Sequence, residues 1–179
     1  ELPKHYDKAV MSWDMTFKDT KTSDYVCGQV WVKEKSCYYL VDQIRGRFDF
    51  TTTLKKFIEF SNKHPYCKRK LIEDKANGTA VINTLKKHIS GIVPITPKES
   101  KVARASATST LWEAHNIYIP DKFKNRWVEL EYEDELLKFP GGLHDDQVDC
   151  TSQALNDLMS KQEHIDPTNV EAILRGFYG

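Results

Sequence analysis

The chain has 179 residues, 40% of them apolar and 29% charged, a globular composition that excludes disorder and fits one domain with a sizeable core. Lysine plus arginine equals aspartate plus glutamate at 26 each, so the net field draws no polyanion and any nucleic-acid surface must come from local clustering. No apolar run reaches the length of a membrane span, the opening ELPKHYDK lacks a secretory apolar core, and Cys27, Cys37, Cys67 and Cys150 form no CxxC pair; a reduced intracellular protein is expected.

The chain is expected to open as a strand meander. Ala9 to Phe17, Tyr25 to Lys33 and Cys37 to Ile44 are rich in β-branched and aromatic residues, and the short polar turns between them allow antiparallel hairpins but no crossover helix. From Thr51 the period changes. Leu54, Phe57 and Ile58 mark a helical stripe ending near His64-Pro65, and Arg69 to Glu73 predicts a short buried strand. Ala80, Val81 and Leu85 predict another helix, Ile92 to Ile95 a strand, Lys101 to Glu113 a helix rich in small residues, and Ile117 to Ile119 a strand before Pro120. After the breaker Pro140-Gly141-Gly142, a last helix is expected from Asp145 to about His164. A meander feeding a βαβ series predicts an α/β fold, a mixed sheet with helices on its faces. The domain is expected to cover residues 1–165, with a loosely attached tail over 166–179.

Acids recur at the ends of these elements. Asp14 lies inside the first strand between Trp13 and Met15, where it reads equally as an outward-facing residue or a structural acceptor. Glu73 and Asp74 close the fourth strand on opposite faces, so at most one of them joins Asp14. In HDDQVDC, residues 144–150, Asp145, Asp146 and Asp149 fan over an arc of about 100° of a helix. Asp145 also fits a helix cap, whereas Asp149, nearly a turn further in, is less well explained that way. Like charges held close raise one another's pKa, which makes such a group unfavourable without a cation. Oxygen ligands alone suit magnesium or manganese, and zinc would want histidine and cysteine clusters. Two such ions about 4 Å apart can promote phosphodiester cleavage.

The series SWDMTFKDTKTSDY, YYLVDQIRGRFDF, LIEDKANGTAVI, PKESKVARA and GGLHDDQVDC, spread over about residues 8–160, resembles the nuclease domain of the large terminase subunit of tailed bacteriophages. That resemblance implies a ribonuclease H-like fold whose first three strands are antiparallel. It also implies an endonuclease that cuts concatemeric double-stranded viral DNA during genome packaging, with two magnesium or manganese ions, in the cytoplasm of the host cell. Carried over by motif, Asp14 takes the first-strand position, Glu73 the fourth-strand acid and Asp146 the third ligand. Asp149 matches a fourth acid of resolvase-type folds, with Asp145 as its competitor. Asp74, a possible secondary site residue, points to the other face or assists the turn, and His144 orients a ligand or water, or packs.

Lys101 and Arg104 resemble a basic element that the family holds near DNA, where a cation can stabilise the scissile phosphate. Arg45 and Arg47 are further candidate phosphate contacts, while Lys68-Arg69-Lys70 reads as a solubilising flank. Phosphate contacts carry no sequence information, so little sequence preference is expected. The sequence contains no GxxxxGK[ST] loop. The resemblance therefore implies an N-terminal ATPase domain elsewhere in the full-length protein, with the small terminase subunit and the portal as partners and no membrane. A resolvase-like nuclease on the same fold and a non-catalytic docking module are the other readings. The nuclease reading requires Asp14, Glu73 and Asp146 to meet in space, clear of arginines and lysines.

Overall fold

A computed structural model describes residues 2–15, 25–74 and 78–160. Strands β1 (Lys8–Met15), β2 (Val26–Glu34) and β3 (Cys37–Gly46) pair antiparallel, as the short turns dictate. Strands β4 (Arg69–Glu73) and β5 (Ile92–Ile95) add parallel on the β1 side, and β6 (Ile117–Tyr118) adds parallel to β3. The six-stranded order is β5-β4-β1-β2-β3-β6, so β1 is central and its neighbours run in opposite senses.

Alternation along β1 sorts the core into two layers. Met11, Trp13 and Met15 pack with Phe57 and Phe60 of α1 (Phe50–Lys63) and with Val81, Ile82 and Leu85 of α2 (Gly78–Leu85). Helix α1 starts at Asp49, whose carboxylate accepts the Thr52 N–H at 2.7 Å. On the other face, Val10, Trp31 and Leu40 pack with Ala154, Leu155 and Leu158 of α6 (Asp146–Met159). Asp14 shares the parity of Val10, and therefore faces α6.

A bulge in β3 alters what faces α6. Trp31 pairs with Leu40 but Val30 pairs with Asp42, so Val41 is an extra residue. Because side chains alternate with a period of two, the insertion shifts parity. Leu40 faces α6 before the bulge, and Gln43 and Arg45 face it afterwards.

The expected helix over Lys101 to Glu113 is broken into α3 (Lys101–Ser106) and α4 (Ser109–Glu113). At the break, the Thr108 hydroxyl donates to the Ala105 carbonyl at 2.8 Å, a local bond that competes with the helical ladder. The stretch for which the sequence predicts no element holds a π-helical segment, Val128–Tyr132, that continues into α5 (Glu133–Lys138). The proposed strand end at Phe17, the helix end near His164 and the 166–179 tail lie outside the described residues. Among those described, no helix is long and apolar enough to cross a membrane.

Candidate active site

Asp14 and Glu73 end two parallel strands. The β1–β4 register runs from Val10↔Arg69 to Trp13↔Ile72, and its next step sets Asp14 beside Glu73 on the α6 face. The N-terminus of α6 arrives over the same sheet edge with Asp145, Asp146 and Asp149. Helix and strand are tied directly. The Asp14 N–H donates to Cys150 Sγ at 3.1 Å, the Cys150 thiol donates to the Cys27 carbonyl at 3.2 Å, and Gln153 Nε2 donates to Ser12 Oγ at 2.9 Å.

Burial pushes the Asp14 carboxyl up to about 7, with the charges of Asp149, Glu73 and Asp146 adding to the shift and Lys101 opposing it. Burial likewise raises Asp149, against the pull of Lys101 and Arg104. These mutual influences place four acids from three elements in one electrostatic neighbourhood, and Asp149 exerts the largest charge effect on Asp14.

The acids are not clear of cations. Lys101 Nζ lies 2.5 Å from Asp149 Oδ2 and 2.7 Å from Asp145 Oδ2. Arg104 spans the strand and the helix, with Nη1 3.1 Å from Glu73 Oε2 and Nη2 3.0 Å from Asp149 Oδ1. Arg45 grips Asp146 with two bonds, Nε to Oδ2 at 2.7 Å and Nη2 to Oδ1 at 2.9 Å, and also reaches Glu131 and Glu135 at 3.1 and 3.2 Å. Its guanidinium stacks over Tyr25, 3.7 Å from the ring centroid. Among the described residues, no three histidine, cysteine or acidic side chains are arranged to hold a metal ion. The expectation of acids free of basic partners is therefore corrected: they meet, and the protein supplies their countercharge. Their chemistry still suits a hard divalent ion, because a carboxylate has about four lone-pair sites and one bond to lysine or arginine leaves acceptor capacity.

The other expected residues sort by environment. Arg45 and Arg104, anticipated at DNA phosphates, are largely buried against carboxylates. Arg47 is exposed, its guanidinium 4.9 Å from the Tyr25 ring. His144 packs edge-on against the same ring at 4.9 Å. Asp74 accepts from the Thr79 hydroxyl at 2.6 Å, which suits the expected turn role. Of the Lys68-Arg69-Lys70 flank, Lys68 is exposed as expected, whereas Arg69 and Lys70 are tied in. Arg69 chelates Asp157 at 2.7–3.0 Å, and Lys70 is buried with Nζ on the Cys67 and Ser90 carbonyls.

Asp145 occupies the cap position of α6 without making a capping bond. Glu135 of α5 does that work instead. Its Oε1 accepts the Gln147 and Val148 N–H groups at 2.7 and 3.1 Å, and its Oε2 accepts Gln147 Nε2 at 2.7 Å. The Gln147 side chain also accepts from Gln43 Nε2 at 2.8 Å, and Gln43 accepts from Gln29 at 2.8 Å. Glu135, Gln29, Gln43 and Gln147 were not among the expected site residues. The apolar spacing of Val128, Tyr132 and Leu136 was the available signal for the segment carrying Glu135.

A family model described as the terminase RNaseH-like domain matches residues 11–158. No curated protein sequence matches the chain. Solved structures similar in fold include the following. The large terminase nuclease of thermophilic phage G20c with bound zinc is 18% identical, with a TM-score of 0.64 over 83% of this chain and 80% of that one. The large terminase nuclease domain of bacteriophage SPP1 with bound manganese is 18% identical, with a TM-score of 0.61 over 86% and 88%. A large terminase from a second thermophilic bacteriophage is 17% identical, with a TM-score of 0.65 over 89% of this chain but 42% of that one.

Proposed function

This chain belongs to the terminase ribonuclease H-like domain family, and on that premise we propose that it is a divalent-metal-dependent endonuclease cutting concatemeric double-stranded viral DNA during genome packaging, in the host cytoplasm. The observation that carries the reading is the convergence of Asp14, Glu73 and Asp149 from β1, β4 and α6 at one sheet edge, with Asp146 and Asp145 on its flank. The manganese and zinc bound by the SPP1 and G20c nucleases support a divalent ion, and magnesium or manganese, as a pair, is the cofactor proposed. Asp14, Glu73 and Asp149 would hold it, with Asp146 as a further ligand and the more exposed Asp145 at the rim. A bound divalent ion activates water and offsets charge on the phosphate.

The protein's own groups set the stage for that chemistry. Arg104 holds Glu73 and Asp149 in mutual register, since one guanidinium bonds both. Arg45 restrains Asp146 through two parallel bonds, a geometry that fixes orientation as well as charge. The exposed Arg47 and the rim-placed Lys101 suit backbone phosphates, which position DNA without reading its sequence. In the full-length protein an ATPase domain, the small subunit and the portal are the proposed partners, consistent with a similar large terminase of which this fold covers only 42%.

Plasmid cleavage with magnesium or manganese tests the proposal. Wild type should cut, and Glu73→Ala and Asp149→Ala should lose cutting while keeping the wild-type circular dichroism spectrum. Intact plasmid with either ion at high protein concentration would overturn the enzyme and favour a docking module.

A further inference from the structure

Building on the nuclease reading, we propose that Lys101 is a tethered competitor for the metal: its ammonium neutralises Asp149 and Asp145 in the metal-free protein and must leave Asp149 when a divalent ion is held there.

The two cations that α3 lends to the acids differ in mobility. Arg104 is buried, bonds Glu73 and Asp149 through separate nitrogens, and has its carbonyl bound by Asn156 Nδ2 at 3.0 Å. It is built into the strand–helix joint. Lys101 sits one turn earlier with a side chain 41% exposed, over one buried partner, Asp149 at 3%, and one open partner, Asp145 at 45%. A lysine is a point charge on a flexible stem with no planar fork to match, so it can swing from the buried oxygen to the rim.

An ion held by Asp149 and Asp14 would lie close to that ammonium, since Lys101 Nζ is 2.5 Å from Asp149 Oδ2. Two positive charges at this separation exclude each other, so one of them must yield. Only Lys101 has somewhere to go: Asp145 is on the open side, and a DNA phosphate passing over the same edge is the complementary partner for a released ammonium. Metal uptake is therefore weakened by Lys101 and accompanied by its release.

Mn2+ binding to the full chain, measured calorimetrically without DNA, tests this in wild type, Lys101→Met and Lys101→Arg. Lys101→Met should bind Mn2+ tighter by roughly 5- to 150-fold, the usual span of coupling between two sites, whereas Lys101→Arg, which keeps the charge, should bind no tighter than wild type. Independently, acylation of the Lys101 amine in wild type, read by mass spectrometry, should rise when Mn2+ is added. Equal or weaker binding by Lys101→Met, or acylation indifferent to Mn2+, overturns the competitor role. Asp14→Asn separates the two ideas: Mn2+ binding unchanged in that variant defeats the metal-site reading itself, while binding lost there but untouched by Lys101→Met defeats only the competitor.

Discussion

Replacing Asp14 with asparagine should stabilise the metal-free protein at alkaline pH and leave it little changed in acid. Burial and neighbouring acids raise this carboxyl from its ordinary value of 3.8 to about 7. A group whose pKa is raised by folding favours the folded state most below its unfolded value, and that advantage is lost as pH rises through the folded value. The loss therefore develops between about pH 4 and pH 7. Roughly three pH units, each worth about 1.36 kcal/mol, set a ceiling of about 4 kcal/mol, which partial exposure lowers to about 2–4 kcal/mol. At this chain length that is a Tm difference of roughly 4–16 °C. Urea and thermal melts of chelator-treated wild type and Asp14→Asn at pH 5, 6, 7 and 8 read it directly. Wild type should fall away from the variant as pH rises. Parallel pH profiles for the two proteins would refute the claim that burial, with the neighbouring acids, holds the Asp14 carboxyl above its ordinary value.

Arg45→Met leaves Asp146 and Glu135 without their guanidinium and should cost about 3–5 kcal/mol in urea unfolding, while Arg45→Lys should recover only part of it, lacking the planar fork. Glu135→Ala removes the acceptor for the first α6 amides, so hydrogen exchange at Gln147 and Val148 should accelerate, with a stability loss of about 1 kcal/mol. Gly28→Ala should destabilise by about 1–3 kcal/mol, because its Cβ would lie 2.7 Å from ring carbons of the fully buried Trp13.

Strand and helix order was legible because it rests on local periods. The meander, the short β4 ending at Glu73 and the final helix all follow from alternation and helical spacing within a few residues. The same periods set Asp14 against the helix-facing side of β1 once Val10 is known to be core. Less legible was the region from Asp121 to Phe139, where the acids Glu131 and Glu135 interrupt an apolar stripe. Those acids look solvated in sequence, and they gain their partners only because Arg45 and the end of α6 meet them.

The linear chain thus determined most element types, their order and the acids at their ends, since each depends on neighbours within a turn or a strand. Folding alone decided who neutralises whom. The single extra residue at Val41 turns Arg45 toward Asp146, and α3 carries Lys101 and Arg104 to acids some 30 to 50 positions away. Electrostatic partnership follows distance through space, a quantity that no local pattern of residues encodes.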